Sequence, residues 1–277
     1  MKQKNLFSII YEDAQMLGVD KAPGLSVGGD RWDVSKERLD KLLNSYFAEE
    51  AGVDGASRLP FPHRVFTVHR IDQDTSGLVL FAKDADSHRE LSKLFESGQV
   101  EKRYIAVIHG RPSWKETSCD LPLVPDGDKL HRTIIDKYQG KKSLTRFTFI
   151  GGAGNYSIIE ARPETGRTHQ IRVHLAALGH PIVCDPLYGK PGAKGVYLSS
   201  FKKGWRGDPI DERPLLSRLG LHAASVTLPP LSWLSGDERL TIEAKLPRDM
   251  AALVKQMEKS QNTTFPLEPQ TGSIHQE

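Results

Sequence analysis

The chain has 277 residues, 38% hydrophobic and 26% charged, with a formal net charge of +3. That length can bury a substantial core without disulfides or a structural metal, and the mild positive charge is compatible with nucleic acid without demanding it. The two cysteines, Cys119 and Cys184, are far apart and lack ligand spacing, which argues against a disulfide framework and a zinc site and fits a reducing compartment.

In chain order, the N-terminus has an apolar run of five residues before its first acidic pair. This is too short for a signal-peptide core, and no later run approaches a membrane span, so a cytoplasmic protein is expected. Residues 36–50 predict a helix with Leu39, Leu42, Leu43, Tyr46 and Phe47 on one face. Ser35 is its expected cap, Val34 its hydrophobic staple against Leu39, and Gly52 follows its end. The run "LVLFA" at 78–82 predicts a strand. Residues 86–97 predict a second helix with Leu91, Leu94 and Phe95 inward and Gly98 as its stop.

Further strands are expected at 104–109, 144–150 and 156–161. "THQIRVHLAAL" predicts a helix ending at Gly179. Alternating apolar residues at His222–Leu228 and Leu240–Leu246 predict strands buried on one face. A last helix follows Pro247, with Met250, Leu253, Val254 and Met257 on one face. Strands often follow one another without a helix between them, which favours an α+β fold with a mixed, largely antiparallel sheet over a doubly wound one. A single domain over 1–258 and a polar, aperiodic tail over 259–277 are expected.

The stretch "HRIDQDTSGLVLFAK" at 69–83 sets charged residues against an apolar strand. Thr75, Ser76 and Gly77 are turn-compatible, so Asp72 or Asp74 alone would read as a turn brace through an Asx hydrogen bond. Arg70 lies two residues from Asp72, however, and a second cationic cluster occupies 162–189 with Arg167, His169, Arg172 and His174. Two arginines at a helix start can grip phosphates, or can form a solvated basic face. His169 and His174 are five apart, off the spacing that places two metal ligands on one helical face; with His69 and His222 they read as braces or packing residues. Between 190 and 219, Lys202, Lys203, Trp205 and Arg206 combine charge with an aromatic ring, a composition suited to RNA contact or to an exposed loop.

Together these segments resemble the RluA-type family of RNA pseudouridine synthases. The resemblance rests on His69-Arg70-Ile71-Asp72 followed by Thr75-Ser76-Gly77 and an apolar strand. It rests also on Gly166 to Arg172 with its continuation "HLAALGHPIVCDPLYG", and on Lys102-Arg103-Tyr104 at a strand start. It spans about residues 9 to 250 in family order, with Ile71 in place of the usual leucine. Lys21-Ala22-Pro23-Gly24-Leu25 departs from the family by shifting a proline one position, which puts the local turn geometry in question. No room is seen before the catalytic pattern for a small S4-type RNA-binding domain.

The resemblance implies conversion of uridine to pseudouridine in ribosomal or transfer RNA, by a monomer, with no metal and no cofactor. Asp72 would be the essential carboxylate, either attacking the sugar or removing its 2′ proton. Arg172 would pair with Asp72, and Tyr104 would stack on the uracil. Arg70 would fill the gap left by a flipped nucleotide. Arg167, Lys102 and Thr75 would contact substrate RNA. Rival readings are a non-catalytic RNA-binding protein, and a hydrolase using Asp74 or Asp185 as a second carboxylate.

Overall fold

The computed structural model describes residues 6–29, 37–52, 64–192 and 195–267. Its elements, in chain order, begin with strands β1 (Phe7–Glu12) and β2 (Met16–Lys21), helix α1 (Leu39–Gly52), and strands β3 (Phe66–Thr67) and β4 (Ser76–Ala82). Helix α2 (Ala85–Glu96) leads to β5 (Glu101–His109), β6 (Glu116–Cys119), β7 (Leu123–Val124), β8 (Ile134–Ile135), β9 (Thr145–Ala153) and β10 (Tyr156–Pro163). Helix α3 (Gln170–Ala177), strands β11 (Leu221–Leu228) and β12 (Leu240–Glu243), and helix α4 (Arg248–Gln261) complete the chain.

One ten-stranded sheet runs β1-β2-β4-β11-β5-β10-β9-β6, with β12 on β11 and β3 on β4. Among the described strands of this sheet, only the β4–β11 pair is parallel; the other pairings are antiparallel. This is the α+β architecture expected. Side chains alternate across β4. Leu78, Leu80 and Ala82 pack with Leu91 of α2, while Val79 and Phe81 pack with Leu39 and Leu43 of α1. Likewise β5 sends Ile105 and Val107 towards α4, and Ala106 and Ile108 towards α3. The sheet is therefore covered on both faces. Among the described residues, no helix is long and apolar enough to cross a membrane.

Helix α2 follows its sequence signals. Asp84 caps it by accepting from the amides of Asp86 and Ser87, and Gly98 takes the left-handed conformation at its end, φ +74°. Helix α1 starts at Leu39, three residues later than its apolar pattern predicts. Its expected cap and staple, Ser35 and Val34, lie outside the described residues.

Two expectations need correction. Strand β11 is buried on both faces, not one, because it lies mid-sheet between β4 and β5 with helices on either side. The expected tail from Lys259 also begins too early. Helix α4 continues to Gln261, and Phe265 is buried over Gly151 of β9, where a side chain in place of the glycine hydrogen would collide with its ring.

The parallel pairing of β4 with β11 depends on Gly77. Its φ is +110°, and a Cβ there would stand 2.2 Å from the carbonyl oxygen of Ala223. No other residue type allows that approach, which places the loop before β4 directly against the start of β11.

Candidate active site

Residues 69–75 form a short loop entering β4, closed by a hydrogen bond from the Thr75 amide to the Asp72 carbonyl at 3.2 Å. The neighbouring segment after β2 clamps it. Lys21 donates to the carbonyls of Gln73 at 2.8 Å and Ala22 at 3.0 Å, while Gln73 and Gly24 exchange two further hydrogen bonds. The proline-shifted stretch thus sits directly against the Asp72 loop. Lys21 is fully buried, and burial pulls its pKa down to about 7 despite the nearby charges of Asp74 and Asp72.

The second motif supplies the partner. Arg172, on α3, is 3% exposed at its side chain, so it belongs to the interior and not to a solvated basic face. Its Nε and Nη2 donate to the two carboxylate oxygens of Asp185, each at 2.8 Å, and its Nη1 reaches Oδ2 of Asp72 at 3.3 Å. Asp185 also accepts from the amides of Leu187 and Tyr188. Burial alone would raise the Asp185 carboxyl, but the hydrogen bonds and charge of Arg172 outweigh it and hold the group below the usual carboxylate range. Burial alone would likewise lower the Arg172 guanidinium, and Asp185 reverses that. The face of Tyr188 lies 5.1 Å from the guanidinium carbon, and its hydroxyl accepts from the Thr133 amide and contacts Nδ1 of His169.

Tyr104 stands on β5, half-buried beside this pair. Burial first, and the Asp72 charge second, push its hydroxyl well above the usual tyrosine range, so it stays neutral. Asp72, Tyr104, Arg172, Arg70, Arg167, Lys102 and Thr75 all line one cleft of about 870 Å³. Within it, Arg70 is exposed. Arg167 is exposed too, its Nε donating to the Lys142 carbonyl. Thr75 is 1% exposed, and its hydroxyl has no partner among the described residues. The Lys202–Arg206 segment does not line this cleft.

The sequence reading missed the roles of Asp185, Tyr188 and Lys21. Asp185 and Tyr188 lie in the continuation of the second motif, "HPIVCDPLYG", but the sequence offered no contact to link them to Arg172. Asp185, considered earlier as a second catalytic carboxylate, is instead occupied at both oxygens.

Three histidines act as braces. His69 accepts from the Leu80 amide and stacks on Phe95 at 4.4 Å. His174 bridges Ser143, Thr145 and the Leu121 carbonyl. His222 links Ser76 to the Ala244 carbonyl. Burial, aided by the Lys102 charge, lowers the His69 pKa to about 3, and burial lowers that of His222 to about 4. Their unfolded values near 6.5 are higher, so the unfolded chain binds protons first. The stability they contribute is complete above pH 6.5 and falls as the pH drops below it. Urea unfolding at pH 7.5 and pH 5 is expected to show a lower midpoint at pH 5, with proton uptake on unfolding; a flat profile would contradict neutral, buried rings.

Comparison with known proteins accords with this geometry. Residues 15–177 match the family described as RNA pseudouridylate synthase. Ribosomal large subunit pseudouridine synthase D of Zymomonas mobilis is 32% identical over 251 residues, covering 90% of this chain and 72% of that protein. A second RNA pseudouridine synthase of the same bacterium is 36% identical over 242 residues, covering 87% and 94%. The solved structure of Human RNA Pseudouridylate Synthase Domain Containing 4 superposes with a TM-score of 0.66 at 21% identity, over 90% of this chain and 92% of that one, and so shares the fold. With both motifs meeting in one cleft and these matches spanning most of its length, the chain belongs to the RNA pseudouridylate synthase family.

Proposed function

We propose that Asp72 is the essential carboxylate of this enzyme and that ribosomal RNA is its substrate. The observation that supports the first part is the Arg172 guanidinium, gripped at two nitrogens by Asp185 and extending its third to Asp72. A fixed guanidinium at that distance holds the carboxylate in one direction. In the reaction the C1′–N1 bond of uridine breaks, the uracil turns, and a C5–C1′ bond forms; C5 gives up its proton and N1 gains one. The Asp72 carboxylate so directed serves whether it attacks C1′ or takes the 2′ proton. The isomerisation involves no net redox change, so the proposal includes no cofactor.

Tyr104 offers its ring to the uracil, and Arg70, exposed at the cleft mouth, is placed to fill the space that a flipped nucleotide vacates. The choice of ribosomal RNA rests on the names of two matched relatives. One is the Zymomonas mobilis protein above; the other is Ribosomal large subunit pseudouridine synthase D of Nitrosomonas europaea, 31% identical over 252 residues. A single catalytic unit acting as a monomer in the cytoplasm completes the proposal. One sheet formed from both halves of the chain supports the single unit, and two free cysteines fit a reducing compartment.

The test is pseudouridine mapping across all RNA in wild-type cells, a deletion strain, and the deletion complemented with the intact gene. Loss of a ribosomal RNA site on deletion and its return on complementation is expected. Loss confined to transfer RNA would overturn the substrate assignment.

A further inference from the structure

Among the described residues, Lys102 is the one half-buried cation of the cleft that lacks a partner. It lies two residues before Tyr104 on β5, so both side chains leave the same face of the strand, about 7 Å apart. Its ammonium forms no hydrogen bond or ion pair with any described residue. The other cleft cations differ: Arg172 is bound by Asp185, Arg167 donates to a carbonyl, and Arg70 is open to solvent.

The acidic groups of the cleft do not supply a counter-ion. Asp72 faces Arg172, Glu164 pairs with Arg146 at 2.6 Å, and the exposed Glu96 lies beyond ion-pair distance of Lys102. Beside Lys102 the stacked rings of His69 and Phe95 form an apolar wall. Burial lowers the Lys102 pKa, and its positive charge in turn disfavours protonation of His69. A half-buried charge without a partner is costly to the free protein, and an incoming anion removes that cost.

The cleft, at about 870 Å³, lies near the top of the roughly 300–1,000 Å³ range that encloses a drug-sized ligand. It therefore has room for the sugar–phosphate next to the base. We propose that Lys102 is the anion anchor of the cleft, binding a phosphodiester adjacent to the flipped uridine and fixing how far the nucleotide descends over Tyr104. This rests on the cleft being the RNA site.

The test measures binding of a ten-nucleotide RNA with one central uridine to the full chain across a range of salt concentrations. The protein carries Asp72→Asn so that turnover does not intervene. Adding Lys102→Met is expected to weaken binding several-fold and to reduce the slope of log affinity against log salt by about 0.7, the amount for one phosphate on a single strand. Lys102→Arg is expected to keep the slope. A scan replacing single linkages by neutral methylphosphonates is expected to find one position that weakens the lysine form and leaves the methionine form unchanged.

An unchanged slope, or methylphosphonate effects that simply add at every linkage, would overturn the anchor. The urea midpoint of Lys102→Met is expected to equal or exceed that of the parent, because a half-buried unpaired charge has been removed; a lower midpoint would mark a structural role instead. If deletion of the gene removes no pseudouridine yet Lys102→Met still lowers the slope, the functional reading fails and the anchor stands.

Discussion

Purified Asp72→Asn protein is expected to form pseudouridine at least about 10³-fold more slowly than the wild type while still binding RNA. Asparagine matches aspartate in shape and can still lie alongside Arg172, but it can neither attack C1′ as an anion nor accept a proton as a carboxylate. The substitution therefore separates charge from packing. The Asp72 carboxylate is 24% exposed and its contact with Arg172 is 3.3 Å, so the stability it provides should be within about 1 kcal/mol. Single-turnover assays and urea unfolding on the same preparation check both halves. Loss of stability without loss of rate would make Asp72 a structural residue, contrary to the proposal.

Replacing Asp185 by alanine should cost stability as well as rate. The Asp185 carboxylate is fully buried and carries two hydrogen bonds from Arg172 and two from backbone amides. Its removal leaves a buried guanidinium whose only remaining carboxylate among the described residues is Asp72, at the longer 3.3 Å contact. Breaking a buried pair from one side costs about 3–5 kcal/mol, and that loss should appear in the urea midpoint. The freed arginine no longer has a fixed direction, so turnover should also fall, by about 10²-fold or more. Converting Arg172 to methionine in the same protein should restore part of the stability and none of the activity. If Asp185→Ala alone is as stable as the wild type, the anchoring of Arg172 assigned here is wrong.

Much of this arrangement was legible in the sequence where local chemistry leaves a local trace. Helix α2 has its apolar face and its stop at Gly98, and the two polar motifs announce the cleft from both sides of the chain. Strand β2 leaves no clear trace in the sequence, because Gly18 and Asp20 interrupt its apolar pattern. The double-sided burial of β11 depends on its mid-sheet position, which no local pattern records. Phe265 is one aromatic residue among polar ones, and its burial is explained by a glycine more than a hundred positions away. The Asp185 anchor was hidden for a related reason: an aspartate destined for a buried guanidinium carries no mark of its partner.

The position of β11 has a consequence for biosynthesis. Strands β4 and β5 are separated in the chain only by α2 and its short connections, yet the sheet inserts β11 between them. The turn bearing Asp72 and the strand bearing Tyr104 therefore reach their final spacing only when residues 221–228 arrive. Pairing across such a separation carries a large loop-closure entropy and is slow. On the ribosome, a nascent chain would expose the unpaired edges of β4 and β5 until β11 is made, and bring Asp72 and Tyr104 to their final spacing only late in synthesis.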